Sequence, residues 1–397
     1  MKREGSHRSW TMAVTVGLTC CLVLAAAAGV MAEENAEADG KILGRDKIIA
    51  LYGDHTEQVP SQNLDGSGIA WYKFLKNPVD KAADILAAYK EKPVVNIDEL
   101  GWDYDGPSDQ KTAAVLKAAK EKNPDLKLLI HQMRGPVAPE LAATYRDLVD
   151  LVWMETYVDP TDLWAIAMQL KAAELNGLAH QSIIALGAGK CARDQVNWAT
   201  TKEEMEEQMR FVRLVAPESP GIAFFAVAGN FANNEAENPI TIEDIGEICS
   251  RWDELPTDGS GLRPELIELG KTFSKRYEKP ALVCSPTYVW PNLSPGHPGP
   301  DGWTGWGQVV KPYTFRVPIL NMGERDAKDV IVRLRNPGKD GDVFAKGIVD
   351  IPARSVGVAI LPVIPGHKWK TWIGRWELLV EAPGSKVLIY NFSWYEN

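Results

Sequence analysis

The sequence predicts an α/β fold class: a (β/α) barrel, complete or incomplete, followed by a smaller all-β domain. Two observations favour this architecture. Between residues 47 and 280, short β-rich apolar runs alternate with amphipathic stretches at helical spacing, which is typical of parallel strands joined by helices. From residue 281 the helical spacing does not return, and short strands separated by turn residues follow one another to the end. The chain is therefore expected to fold as two successive domains.

Composition agrees with packed domains and excludes several classes of protein. The chain has 397 residues, of which 45% are hydrophobic and 24% charged, and its formal net charge is −10. This length and apolar content support two or three domain cores and exclude a disordered chain. An acidic protein has few of the Lys and Arg side chains that displace counterions from phosphates. Nucleic acid is therefore excluded as a partner.

The first 32 residues are predicted to be a signal peptide. Lys2, Arg3 and Arg8 precede an uncharged apolar run that ends in the small-residue exit Val30–Ala32. This pattern predicts a secreted or periplasmic protein with no membrane contact after cleavage. The alternative is an uncleaved anchor, since about 20 apolar residues can span a bilayer. Residues 33–46 form a polar segment before the barrel.

The cysteines exclude a disulfide framework and a cysteine zinc site. After the signal segment only Cys191, Cys249 and Cys284 remain. Three cysteines allow at most one bridge within a chain, and their spacing matches no CxxC or Cys/His zinc pattern. The apolar core must therefore hold the fold together, and no metal site is predicted from these residues.

Six apolar runs in residues 47–280 predict buried parallel strands. They are residues 47–53, 93–100, 126–133, 150–157, 182–189 and 221–230. A closed barrel is favoured over an open doubly wound sheet because no GxGxxG loop follows the first strand and the block has the usual barrel size. Polar residues also recur at the carboxyl ends of several strands. The missing strands would lie in residues 58–74 or 230–262, unless the barrel is incomplete.

Residues 281–311 form a junction rich in Pro, Gly and Trp, and residues 312–397 predict a β-sandwich. The segment 317–341 contains a strand, an Asn-x-Gly turn and the strand AKDVIVRLRN. It resembles the accessory immunoglobulin-like modules of secreted bacterial proteins. The resemblance implies a fold for the last 85 residues or so and implies no chemistry.

The run VVNIDELGWDYD contains the first candidate catalytic residues. Its strand delivers Asp98 and Glu99 to the edge of an apolar core, where burial can raise the pKa of a carboxyl group and make it a proton donor. Neighbouring residues of a strand point to opposite faces, so only one of them faces the barrel axis. Glu99 is favoured as the catalytic group and Asp98 as its orienting neighbour. The alternative is that Asp98 caps a loop and Glu99 pairs with a helix.

The run WMETY contains the second candidate. Glu155 ends a strand after three large apolar residues, and Tyr157 follows on the same side of the chain. Across the barrel mouth, Glu155 is expected to pair with Glu99, one carboxyl group as acid and the other as nucleophile or base. The alternative is an ion pair between Glu155 and a basic residue such as Arg134.

Further polar and aromatic residues near the predicted rim are expected to bind substrate, because hydroxyl groups need polar partners and sugar faces stack on aromatic rings. These residues are Asp54, His55, Trp102, His131, Arg134, Tyr157, Asn230, Trp303 and Trp306. For the histidines the alternative is a structural role in the core, and for Trp303 and Trp306 it is packing between the domains.

Other chemistries have weaker support in the sequence. Asp54, His55, Asp98 and His131 together would be a metal site of the kind in polysaccharide deacetylases, but no HxxxH or HExxH helix accompanies them. Serine catalysis lacks a GxSxG motif. The Gly187–Lys190 run lacks the full spacing of a phosphate-binding loop and is interpreted as a tight loop at a strand end.

Together, the export signal, barrel, acidic strand ends, aromatic residues and appended sandwich resemble secreted TIM-barrel glycoside hydrolases. The resemblance implies hydrolysis of O-glycosyl bonds in a polysaccharide or oligosaccharide by paired carboxylates, with no cofactor. The DxxDxDxE run of chitinase-like barrels is absent around Glu155, so no single family is indicated. The alternatives are a non-catalytic glycan-binding or cell-surface protein, or a metal-dependent carbohydrate deacetylase.

Overall fold

The structure is a computed structural model of the 397-residue chain. It describes residues 41–70, 77–89, 94–100, 106–133, 135–158, 160, 162–188, 190–191, 196–197, 201–225, 240–293, 312–336, 343–364, 374–384 and 387–394. The chain divides into two compact units, Met1–Lys47 and Ile48–Asn397. In the first unit, a bridge between Ile42 and Arg45 closes a turn. The predicted signal peptide lies outside the described residues. Among the described helices, none has the length and apolar character needed to cross a bilayer.

The first part of the larger unit is built on a parallel sheet. The strands of this part are β1 (Ile48–Leu51), β2 (Leu64–Asp65), β3 (Ile69–Ala70), β4 (Val95–Leu100), β5 (Leu128–Gln132), β6 (Leu151–Thr156), β7 (Ser182–Gly187), β8 (Lys190–Cys191), β9 (Val196–Asn197) and β10 (Gly221–Phe225). Strands β8 and β9 pair with each other as a separate antiparallel ribbon. The other eight form one sheet in the order β2-β1-β10-β7-β6-β5-β4-β3, and every pair in it is parallel.

The sheet curls until its two ends meet. Its end strands β2 and β3 are consecutive pieces of the segment 64–70, separated by three residues. The first piece pairs with β1 and the second with β4. Between them, the Asn96 side chain of β4 donates to the carbonyls of Asp65 and Ser67. One interrupted strand therefore closes a barrel with seven strand positions.

This architecture confirms the predicted fold class. All six predicted strands form, and the seventh position lies within residues 58–74, one of the two regions named for missing strands. The segment was not recognised as a strand because Gly66–Gly68 interrupts it and leaves two residues of strand on each side. In the other region, the described residues 240–262 contain helical turns and no strand.

Seven α-helices are described between and after these strands. They are α1 (Val79–Ala87), α2 (Gly106–Lys122), α3 (Pro139–Leu148), α4 (Leu163–Leu175), α5 (Lys202–Val215), α6 (Ile242–Ser250) and α7 (Pro264–Ser274). Capping boxes start α5 at Thr201 with Glu204 and α6 at Thr241 with Asp244, which satisfies backbone N–H groups left free in the first turn. Neighbouring helices contact one another, α1 with α2, α2 with α3 and α4 with α5.

The second part of the larger unit consists of two four-stranded antiparallel sheets. Its strands are β11 (Leu282–Val283), β12 (Trp290–Leu293), β13 (Pro312–Asn321), β14 (Ala327–Arg335), β15 (Val343–Ile351), β16 (Ser355–Pro362), β17 (Gly374–Glu381) and β18 (Leu388–Trp394). Strand β13 pairs with β11, β12 and β16, and the second sheet has the order β15-β14-β17-β18. Phe315 from the first sheet contacts Phe344 and Trp376 from the second, so the sheets pack face to face.

The β-domain begins inside the predicted junction. Strands β11 and β12 lie within residues 281–311, and both pair with β13. The junction is therefore partly built into the first sheet. The prediction of an immunoglobulin-like fold stays a prediction.

The β-domain is anchored on helix α4 of the barrel. The Trp164 indole N–H donates to the carbonyl of Cys284 at 2.9 Å, and the Tyr288 hydroxyl donates to the carbonyl of Ala165 at 2.8 Å. Arg354 of the β-domain lies 3.1 Å from Glu174. These contacts join side chains of each domain to the other, and Cys284 itself is a buried free thiol.

Candidate active site at the carboxyl ends of the barrel strands

The site is built on the inner face of strands β5 and β6. Residues two apart on a strand share a face, so Trp153 and Glu155 of β6 point to the same side. His131 of β5 is the register partner of Trp153. The two rings are stacked, with centroids 4.6 Å apart and planes 8° from parallel. The indole therefore fixes the plane of the imidazole just below Glu155.

Trp153 fills the barrel below this histidine. Its indole is fully buried and reaches the closing segment at Gly66. A Cβ added at Gly66 would overlap the six-membered ring of the indole, so glycine is required there for the ring to fit. The interruption of the closing strand thus has a structural reason, because it accommodates the side chain that supports the site.

Asp98 of β4 completes a compact cluster with His131 and Glu155. The imidazole Nδ1 lies 3.1 Å from Asp98 Oδ1 and 3.6 Å from Glu155 Oε1. The three atoms that the residues offer all lie within 4.8 Å of one another. Two carboxylates and one imidazole therefore converge at one point at the carboxyl end of the barrel, where catalytic groups of (β/α) barrels are found.

The cluster is nearly excluded from solvent but not sealed. The side chain of His131 is 0% exposed, that of Glu155 is 8% exposed and that of Asp98 is 14% exposed. Burying charged groups is unfavourable unless they are paired and hydrogen-bonded. Within the described part of the chain, however, neither ring nitrogen of His131 makes a hydrogen bond of normal geometry. An arrangement of this kind is typical of a functional site rather than of a stabilising core.

Burial and neighbouring charges shift the pKa values of His131 and Glu155. Burial disfavours the charge on His131, but attraction to Asp98 and Glu155 outweighs it and raises the pKa of the imidazole to about 9. Burial raises the pKa of Glu155, against the opposing effect of the adjacent His131. At neutral pH the imidazole is therefore positively charged, and Glu155 retains a proton more readily than an exposed glutamate does.

Aromatic residues surround the carboxylates. The Tyr52 hydroxyl, just beyond β1, donates to Asp98 Oδ2 at 3.3 Å. Its ring meets Phe225 of β10 edge to face at 5.2 Å, and Phe225 stacks on Tyr157 at 4.7 Å. Burial and the negative charge of Glu155 raise the pKa of Tyr157 well above its usual range, so this hydroxyl stays protonated. Tyr52, Phe225 and Tyr157 form an aromatic wall beside the acidic groups.

The structure brings together four of the residues predicted from sequence: Asp98, His131, Glu155 and Tyr157. Asp54 and His55 follow β1 but make local contacts instead. Asp54 is exposed and accepts hydrogen bonds from Thr56, and His55 Nδ1 lies 3.0 Å from Gln58 Oε1. The cluster that could bind a metal therefore contains Glu155 and neither of these two residues.

The remaining predicted residues stay predictions. Trp102, Arg134, Asn230, Trp303 and Trp306 lie outside the described residues. Glu99 is described only through its backbone in β4. Its predicted catalytic role therefore has no described side-chain geometry behind it.

The predicted site residues did not include Tyr52, Trp153 and Phe225. Each of the three lies in or directly after an apolar strand, whereas the predicted residues were mainly polar side chains at strand ends. The period of two offered a signal for Trp153, which precedes Glu155 by two residues on the same strand face. Tyr52 occupies the same rim position after β1 that polar residues occupy after other strands.

No family model and no curated protein matches this sequence. Similarity to solved structures is distant, and several of the similar structures are glycoside hydrolases. A GH18 chitinase from Pseudoalteromonas aurantia is 14% identical, over 52% of this chain and 77% of its own, with a TM-score of 0.30. An endo-β-N-acetylglucosaminidase from Cordyceps militaris is 9% identical, over 53% and 92%, with a TM-score of 0.33. A β-glucuronidase from Bacteroides uniformis is 12% identical, over 72% and 31%, with a TM-score of 0.22. TM-scores this low support no conclusion about activity, so the barrel assignment rests on strand pairing.

Proposed function

We propose that this protein is a glycoside hydrolase whose catalytic carboxyl groups belong to Asp98 and Glu155. The observation that carries the proposal is the meeting of these two groups, from separate parallel strands, at the carboxyl end of the barrel. Paired carboxyl groups in different environments are what acid catalysis and nucleophilic attack at a sugar centre require. The sequence-based prediction paired Glu155 with Glu99, whereas the described contacts favour Asp98.

The surroundings of each group suggest its role. Glu155 is assigned as the general acid, because burial raises the pKa of its carboxyl group and so favours the protonated form, which can donate to the glycosidic oxygen. Asp98 accepts the Tyr52 hydroxyl and faces the imidazolium of His131, and both contacts favour negative charge on its oxygens. Asp98 is therefore the nucleophile.

The spacing favours a retaining mechanism. Oxygen atoms of the two groups lie within 4.8 Å, close to the separation of about 5 Å in retaining enzymes and shorter than the 6.5 Å or more in inverting ones. Asp98 would attack the anomeric carbon as Glu155 protonates the leaving oxygen, so that one C–O bond forms and another breaks. Glu155 would then take a proton from water, and that water would release the sugar from Asp98.

The aromatic wall suits a carbohydrate substrate. Flat rings cover the apolar face of a sugar at little conformational cost, and the rings of Tyr52, Phe225 and Tyr157 lie together beside the carboxyl groups. The basic and apolar residues within 1–32 support action outside the cytoplasm. The proposed substrate is therefore an extracellular or periplasmic polysaccharide or oligosaccharide, and the proposed reaction requires no cofactor.

Replacing each carboxyl group by an amide tests the proposal. Release of reducing ends is measured on a panel of α- and β-glucans, xylan, chitin and their oligosaccharides, first with the unaltered protein. On any substrate cleaved, Glu155→Gln and Asp98→Asn are expected to lower kcat/KM by about 10³-fold or more, since acid–base catalysis alone contributes about 10²- to 10⁴-fold. Proton NMR of the first product is expected to show retained anomeric configuration.

A matched control and a rival variant sharpen this test. Glu377→Gln removes a carboxylate from the β-domain and is expected to leave activity unchanged. Glu99→Gln examines the residue favoured by sequence, and a loss there with full activity in Asp98→Asn would transfer the role to Glu99. Glycan binding without hydrolysis by the unaltered protein would refute the proposal and favour a binding protein.

A further inference from the structure

We propose that Asp98, His131 and Glu155 also form a binding site for one divalent transition-metal ion, and that occupancy by this ion switches the active site off. Metal binding is a property of the cluster itself and goes beyond the proposed hydrolase activity. Only the inhibitory consequence rests on the proposed function.

The spacing of the three donor atoms suits a single ion. Ligands held about 2.1 Å from one ion lie roughly 3 to 4 Å from each other in tetrahedral or octahedral geometry. Nδ1 of His131 lies 3.1 Å from Asp98 Oδ1 and 3.6 Å from Glu155 Oε1. Each donor comes from a different strand, and the three atoms lie within 4.8 Å of one another, so small side-chain shifts are enough to bring all three to one ion.

The surrounding side chains hold the donors in orientation. Stacking on Trp153 prevents the His131 ring from turning away, and its fully buried Nδ1 points between the carboxylates without a hydrogen bond of normal geometry in the described part of the chain. The Tyr52 hydroxyl binds Oδ2 of Asp98, which leaves Oδ1 on the side of the imidazole. Outer partners of this kind orient metal ligands and strengthen binding.

The donor types select the class of ion. One imidazole nitrogen with two carboxylate oxygens suits Zn²⁺, Mn²⁺, Co²⁺ or Ni²⁺, whereas Ca²⁺ and Mg²⁺ prefer oxygen ligands alone. Coordination requires the lone pair of Nδ1, so the imidazole releases its proton to solvent as the ion binds. Three protein ligands leave at least one position on the ion for water.

Inhibition follows from the identity of the ligands. An ion on Glu155 occupies the oxygen that would carry the transferable proton, and an ion on Asp98 withdraws electron density from the nucleophile. Both functions of the pair are lost together. Removal of the ion by a chelator restores them, because no covalent bond has changed.

Calorimetric titration of the full chain with Zn²⁺, after chelator treatment, tests the site. We expect one ion per chain, with weaker binding of Mg²⁺. His131→Gln and Asp98→Asn should each lower Zn²⁺ affinity by more than about 100-fold, since loss of an outer partner alone lowers metal affinity by about 10- to 100-fold. His180→Ala removes an exposed imidazole from another part of the barrel and should not change the affinity.

Two further measurements keep the outcome clear if a buried substitution unfolds the chain. Near-UV circular dichroism checks the packing of each variant, and a zinc-soaked crystal of the unaltered protein should give an anomalous peak about 2.1 Å from His131 Nδ1 and the two carboxylates. Absence of binding, a peak elsewhere, or equal loss of affinity in His180→Ala would overturn the metal site.

The metal-site proposal and the hydrolase proposal can be refuted independently of each other. If Zn²⁺ binds at the cluster but no glycan is cleaved by the metal-free protein, the site stands and the hydrolase proposal falls. If glycans are cleaved but Zn²⁺ neither binds nor inhibits, the reverse holds. Activity that appears only with the ion would overturn the inhibitory role and favour metal-dependent hydrolysis, such as deacetylation.

Discussion

The barrel mouth and the outer face of the β-domain use the same charged residue types in opposite ways. On the β-domain, Arg333 and Glu381 form an ion pair at 2.9 Å with side chains 27% and 37% exposed. At the barrel mouth, His131 is 0% exposed and meets the carboxylates of Asp98 and Glu155, which are 14% and 8% exposed. Surface pairs remain solvated and contribute little in either direction, whereas buried charges cost desolvation energy. Buried charge that hydrogen bonds do not fully compensate is typical of a functional site rather than of a stabilising core.

The interiors of the barrel and of the β-domain also differ in what their aromatic residues do. The core between the two β-sheets is aromatic and apolar, with Phe315, Phe344 and Trp376 in mutual contact. The barrel interior also contains large rings, but there Trp153 carries the imidazole of the site. One aromatic core only stabilises, and the other both stabilises and positions.

Truncation of a buried tryptophan in each domain separates these two roles and has the largest expected effect on stability. Trp153→Ala and Trp376→Ala should each lower the free energy of unfolding by about 3 to 5 kcal/mol, because each leaves a cavity in a packed core. Only Trp153→Ala should also lower glycan cleavage per folded molecule, since it removes the surface on which His131 stacks. Urea unfolding and activity of the folded fraction measure the two effects. Equal activity in both variants would contradict the positioning role.

Titration of His131 should make the free energy of unfolding depend on pH, with an effect smaller than that of truncating a buried tryptophan. Folding raises the pKa of His131 from 6.5 to about 9, so its stabilisation is complete below about pH 6.5 and is lost as the pH rises to about 9. At about 1.4 kcal/mol per pKa unit, the loss is roughly 3 kcal/mol. Urea unfolding of metal-free protein at pH 6 and pH 9 measures it. His131→Gln should lack this component, and an unchanged pH dependence in that variant would contradict the assignment.

The surface pair gives the smallest expected effect. Glu381→Gln should change the free energy of unfolding by less than about 1 kcal/mol, because Arg333 and Glu381 are both solvated and screened by salt. The same urea titration, repeated at high salt, should reduce the difference further. A loss of more than about 2 kcal/mol would mean that the Arg333–Glu381 pair is coupled to the core. The surface pair and the buried cluster at the barrel mouth would then differ less than their exposed fractions indicate.

Much of the fold could be predicted because its signals are local. Alternation of apolar runs with helical spacing revealed six of the seven strand positions and the change to a β-domain. The closing segment escaped because Gly66 interrupts it, and the reason for that glycine, the Trp153 ring, lies 87 residues away. Likewise the sheet of the β-domain takes β11 and β12 from a stretch whose Pro and Trp content suggested only a linker.

The amino-acid sequence alone is enough to place acidic side chains at the ends of separate strands, because the period of a strand and its alternation with helices are properties of neighbouring residues. The folded structure was needed to show that Asp98 is the described carboxylate beside His131, and that Glu155 approaches the same nitrogen from the next strand. Contacts between side chains of different strands depend on the register of the strands and on closure of the barrel. Register and closure depend on packing among residues that are distant in sequence, so a local sequence pattern does not predict these contacts.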